Sequence, residues 1–152
     1  MAYWSDHASE PHNTTAPKGP QMEAHENSAA VVAAYEAFGR GDVTSVVAMN
    51  TPDAVWMIHT SPAAPYNGER KGLESIGALF GIISDTVDIT QFHMAPIASE
   101  GDVVVAVGRQ TYTVKRTGKT ASGAMVHVFT FNSDGKVTRF EEWEGDVHDA
   151  WT

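Results

Sequence analysis

The sequence predicts an α+β domain, with helices first and then an antiparallel meander of long strands. Apolar residues recur at helical spacing in three stretches that end before Val87. From Val87 onward the pattern alternates, and clusters of turn residues cut it into strands: Ser99-Glu100-Gly101-Asp102, Thr117-Gly118 and Asn132-Ser133-Asp134-Gly135. Pro96 and Gly108 interrupt the two longest strands and imply bends, so the sheet should curl around the helices.

Met1 to Asn27 carries Pro11, Pro17 and Pro20 among Ser, Thr, Asn, His and Glu with no periodicity, which reads as a mobile tail; residues 28–152 form the domain. Ser28 caps a helix to Phe38, with Val31, Tyr35 and Phe38 on one stripe. Gly39-Arg40-Gly41 ends it, and Asp42 caps a second helix, Val43 to Met49. Thr51-Pro52-Asp53 turns into a strand from Ala54 to His59. Thr60 to Gly68 is a loop holding Pro62, Pro65 and Tyr66. A third helix runs from Lys71 to Ser84, with Leu73, Ile76, Phe80 and Ile83 at core spacing. Strands follow over 87–98 and 103–115, then a hairpin over 121–143.

At 152 residues the chain suits one core. It contains no cysteine, which excludes a thiol nucleophile, disulfides and thiolate metal sites. A formal charge of −9 argues against a nucleic-acid partner, because neutralising phosphates takes clustered Lys and Arg. No apolar run approaches the ~18 residues of a membrane span, and no basic-then-apolar leader opens the chain. The expectation is an acidic cytoplasmic protein with no membrane or nucleic-acid partner.

The hairpin is the chemical centre. In its first limb Met125, His127, Phe129 and Phe131 share one face, and Val126, Val128 and Thr130 share the other. With Ser133 and Asp134 as a two-residue loop, His127 faces Phe140 and Glu142 is its diagonal neighbour. Histidine takes and returns a proton near neutrality, with an ordinary pKa of ~6.5. A carboxylate beside it fixes its tautomer and stabilises its cation. The blander alternatives are a core histidine with one hydrogen bond and a solvated acidic edge made of Glu141, Glu142 and Glu144. His59 ends its strand at the rim and is a second acid or a substrate donor; Tyr66 is a hydroxyl donor over the mouth. Tyr35, Trp56, Phe80, Phe129 and Phe140 read as core or pocket lining. Arg109 approaches His127 only if the strand register turns it inward. His59, His93 and His127 lack paired metal-ligand spacing, so no metal is expected.

Several segments together resemble the nuclear-transport-factor-2-like superfamily: Tyr35-Glu36-Ala37-Phe38-Gly39-Arg40-Gly41-Asp42, Asp53-Ala54-Val55-Trp56, Tyr66-Asn67-Gly68 with Gly72, Gly101-Asp102-Val103-Val104-Val105, and His127-Val128-Phe129 through Asp134-Gly135-Lys136-Val137. The resemblance spans Ser28 to Asp149 and is strongest to the SnoaL-like polyketide cyclase and ketosteroid-isomerase-like branch. It implies a curved antiparallel sheet forming a cone closed by three N-terminal helices, a cystatin-like α+β barrel with an apolar pocket. The isomerases' base position falls on Ile58 beside His59, their oxyanion tyrosine near Ala34 and Tyr35, and their protonated acid on His127, so none of the three residues is kept. The last-strand carboxylate of limonene-epoxide-hydrolase relatives falls on Glu142, while their Arg-x-Asp becomes Arg109-Gln110-Thr111 without the acid. Asp146 lies where relatives carry an aspartate after the last strand, at the end turn or the pocket floor.

The expected function is cofactor-independent acid/base chemistry on a small apolar carbonyl compound: cyclisation, isomerisation or dehydration, the work of an isomerase or lyase. His127, Glu142 and His59 are the candidate catalytic residues. Tyr35, Trp56, Tyr66, Phe80, Arg109, Phe129, Phe140 and Asp146 are the candidate substrate contacts. The alternatives are a non-catalytic binding module, an epoxide-hydrolase-like enzyme, or a structural homodimer joined through the outer sheet face.

Overall fold

The computed structural model describes residues 19–152. Helices α1 (Pro20–Gly39) and α2 (Val43–Ala48) come first, then strands β1 (Asn50–His59) and β2 (Gly68–Lys71) and helix α3 (Leu73–Thr86). Strands β3 (Val87–Glu100), β4 (Val103–Val114), β5 (Thr120–Phe131) and β6 (Val137–Glu144) follow, and a short helix α4 (His148–Trp151) closes the chain. This is the expected α+β architecture. One curved six-stranded sheet, in the order β2-β1-β6-β5-β4-β3, packs the helices against its inner face.

Three details differ from the sequence expectation. First, α1 starts at Pro20 rather than Ser28, so residues 20–27 leave the stretch read as a tail. Proline suits the first helical turn, where no backbone N–H is needed, and Ala24 and Asn27 are buried. The remainder of that tail, residues 1–18, lies outside the described residues. Second, the loop after β1 ends in the short strand β2, which pairs with β1 at the sheet edge. Third, the sheet stays open, and β1 runs parallel to β6 while every other pairing is antiparallel.

Local chemistry sets the joints. Gly41, at φ 74, makes the left-handed step between α1 and α2. The Asp42 carboxylate then accepts from the Ser45 backbone N–H at 3.1 Å, as expected of a cap. Asn50 is buried and ties α2 to β1: its Nδ2 donates to the carbonyls of Val46 and Val47, and its Oδ1 accepts from Trp56 Nε1 at 2.7 Å.

The hairpin register is corrected as well. The turn spans Asn132 to Lys136, where Asn132 N–H donates to the Lys136 carbonyl and Phe131 pairs with Val137. A bulge between Thr130 and Phe131 shifts the ladder again. The slip totals two residues, so both faces keep their members. His127 is therefore directly opposite Glu142, not diagonal to it, and Phe129 is opposite Phe140.

Candidate active site

Alternate residues of β5 point into the fold, and Met125, His127, Phe129 and Phe131 are all buried. His127 is 4% exposed. The Phe140 ring stands edge-on to its imidazole with centroids 4.9 Å apart, and Phe129 packs on Phe140 at the same separation. Two polar groups reach the ring. The Tyr35 hydroxyl of α1 lies 2.8 Å from Nδ1. Glu142 Oε2 lies 2.9 Å from Nε2, with the carboxylate side chain only 15% exposed. That second approach is a close charge contact off the hydrogen-bond line. Burial, and then the charge of Glu142, push the Tyr35 phenol well above its ordinary value, so it stays protonated.

His127 and Glu142 look into a cavity of about 90 Å³ between the helices and the sheet. Phe38, Trp56, Leu79, Phe80, Phe129 and Phe140 are among its apolar walls. The polar groups reaching it are Tyr35, Tyr66, Gln110, Tyr112, His127 and Glu142. A charge in such an apolar enclosure interacts with its neighbours more strongly than it would in water.

The structure thus brings Tyr35, Trp56, Tyr66, Phe80, Phe129 and Phe140 together with His127 and Glu142. Three candidates do not join them. His59 follows inward-facing Ile58, so it points outward; its side chain is 43% exposed, stacks on Trp143 and lies 3.4 Å from Glu141. Arg109 is exposed for the same reason, since its neighbour Gln110 takes the inward position. Asp146 is exposed on the turn after β6 and does not line the cavity.

Sequence reasoning missed a second polar group beside the first. Glu144 is partly buried two residues beyond Glu142 on the same side of β6. Its carboxylate accepts from Thr60 Oγ1 at 2.7 Å, Gln110 Nε2 at 2.8 Å and the Tyr112 hydroxyl at 3.5 Å. The parity of β6 and β4 was the available signal, because Glu144 shares the face of Glu142, and Gln110 and Tyr112 share the face of Val114. Burial raises Tyr66 well above its usual value. Burial, and then the Glu144 charge, push Tyr112 up to about 12.

Burial also raises Glu144 above its ordinary 4.5, more than its hydrogen bonds lower it. The folded chain therefore holds this proton more tightly than the unfolded one. That contribution to stability is complete below pH 4.5 and is lost as pH climbs through the raised value. Urea unfolding of Glu144→Gln beside the wild type should show the variant gaining relative stability from pH 4.5 upward. A gap that stays constant with pH would show that Glu144 is not held in this way.

The SnoaL-like domain family model matches residues 31–140. No curated protein matches the chain. Among solved structures, an NTF2-like protein from Burkholderia xenovorans LB400 is 28% identical over 84% of this chain and 94% of its own, with a TM-score of 0.71. TerC, co-crystallised with polyporic acid, is 26% identical over 82% of this chain and 97% of its own, with a TM-score of 0.66. Bal32a, from a soil-derived mobile gene cassette, is 28% identical over 85% of this chain and 95% of its own, with a TM-score of 0.65. The family match runs from within α1 to Phe140 of β6 and so takes in both Tyr35 and His127: this chain belongs to the SnoaL-like domain family.

Proposed function

We propose that this protein is a cofactor-independent enzyme that moves a proton next to a carbonyl in a small, largely apolar substrate, as in cyclisation, isomerisation or dehydration. The observation carrying this reading is His127: buried, with Nε2 set 2.9 Å from the Glu142 carboxylate, on the wall of an apolar cavity. His127 is the proton-transferring residue, its ring held by the Tyr35 hydroxyl at Nδ1 and by the Glu142 carboxylate beside Nε2. Once the ring takes a proton, the imidazolium lies beside the Glu142 carboxylate, which stabilises it. The same proton can then return to another atom of the substrate. Among the described residues no arginine lines the cavity, which favours this reading over epoxide-hydrolase-like chemistry.

A simple ketone tests the reading without the natural substrate. The wild type should accelerate exchange of the C2 protons of 1-tetralone in D₂O above the buffer rate, read by proton NMR. Saturable binding without added exchange would mark a binding module instead.

We also propose that the protein pairs with a second copy through the outer face of the sheet. Val126 and Trp143 are register partners there, 38% and 41% exposed. Half-buried Val105, Val107 and Val128 extend the patch. A C2 pair would cover it. Light scattering at micromolar concentration should give twice the chain mass, and Trp143→Glu should shift it toward the monomer. A wild-type monomer at that concentration would remove the idea.

A further inference from the structure

Gln110 lies on the inner face of β4 at 7% exposure. Its side chain crosses over β5 to reach β6, where Nε2 donates to Glu144 Oε1 at 2.8 Å. The crossing is open because its partner on β5 is Gly123. A Cβ at residue 123 would lie 3.1 Å from Val147 Cγ1 and 3.7 Å from Glu144 Cγ, in the path of the bridge. The orientation of the amide follows from its partner: a carboxylate offers only lone pairs, so the NH₂ faces Glu144 and the carbonyl oxygen faces away. Among the described residues nothing bonds that oxygen, and Gln110 lines the cavity.

The neighbouring hydroxyls run in the same direction. Trp151 Nε1 donates to the Tyr112 oxygen at 3.1 Å, Tyr112 donates to Glu144, and Thr60 donates to the same carboxylate oxygen. Each of these protons is thus directed along the chain that ends on Glu144. Tyr66 lines the cavity on the same side as Gln110 and Tyr112. This end of the cavity offers a ligand the lone pairs of the Gln110 carbonyl and, beside it, the Tyr66 hydroxyl, which can accept as well. An acceptor that a ligand covers without matching is costly, so such a pole favours a ligand that brings a donor.

We propose that Gln110 and Tyr66 form a second subsite that accepts a hydrogen bond from a hydroxyl of the substrate, making the substrate class a hydroxylated carbonyl compound. Its partner end is His127, and the assignment of the carbonyl there rests on the proton-transfer reading above. Gly123, opposite Gln110, is four residues from His127 along β5, roughly 13 Å of strand.

The test is calorimetric titration of the full chain with 6-hydroxy-1-tetralone and with 6-methoxy-1-tetralone, which has no donor. The wild type should bind the hydroxy ketone about 3–10-fold more tightly, the net worth of one hydrogen bond. Gln110→Leu should bring the two affinities together. Tyr66→Phe, which keeps the ring, should narrow the gap and decides the matter should Gln110→Leu not fold. Equal wild-type affinities, a preference unchanged in the folded variants, or no saturable binding of either ketone at millimolar concentration would overturn the subsite. A hydroxyl preference without exchange at C2 would instead strike the catalytic reading and leave the subsite standing.

Discussion

On the proposed reading, His127→Ala should lower catalysed exchange at the ketone α-carbon by ~10²–10⁴-fold, the usual cost of losing a general acid/base. The variant removes the base together with the ring that Tyr35 and Glu142 hold from two sides. His127→Gln refills much of the volume without supplying a group that titrates near neutrality, so it should not recover the rate. Glu142→Gln should lose less. It removes the charge that stabilises the imidazolium, but leaves an oxygen able to accept a hydrogen bond. Circular dichroism and urea unfolding, run alongside, separate lost chemistry from lost fold. Near-normal exchange by folded His127→Ala would move the proton transfer elsewhere. His59 is then no refuge, because it stacks on Trp143 outside the cavity; Glu142 itself would be the group to examine.

Gly108→Ala should be the most damaging small change outside the site. Gly108 pairs with Met94 across the bend shared by β3 and β4. There a Cβ would fall within the contact radius of the His93 carbonyl oxygen and 2.6 Å from Met94 Sδ. A backbone oxygen held in a ladder cannot swing aside as a side-chain end can, so the strands must separate. The expected destabilisation is ~3 kcal/mol, the upper range for overpacking, or a melting point lower by ~6–12 °C in a domain of this size. Gly77→Ala is the control. Its Cβ would meet Val47 Cγ2 at an ordinary 3.8 Å inside α3, where alanine is the better helix former. Gly108→Ala melting within a degree of the wild type would contradict the close approach of the two strands.

The close approach of β3 to β4 at Gly108 was legible in the sequence, because a glycine interrupting a long alternating run has few other reasons to be there. The inward set of β5 was legible for a related reason: parity survives any slip of two residues, so Met125, His127, Phe129 and Phe131 stayed together although the turn was misread. Parity could equally have placed Glu144 and Gln110 inside. They were passed over because a third glutamate near the chain end looks like a solvated edge, and because a glutamine carries no charge to draw attention. His59 and Arg109 failed from the opposite error, in which chemical interest outweighed the inward claims of Ile58 and Gln110 beside them. The parallel pairing of β1 with β6 lay beyond local pattern altogether, since it joins segments about eighty residues apart and no turn announces it.

On the proposed reading the chemistry takes place in the cavity beside His127, and a crystal structure of the protein soaked with 1-tetralone tests that most directly. The expected result is the ketone between Trp56, Phe129 and Phe140, with its C2 carbon or carbonyl oxygen ~3–3.5 Å from His127 Nε2, the separation of reacting atoms. A ketone seated in the groove between α1 and β3, or in the cavity with both atoms beyond reach of His127, would contradict it.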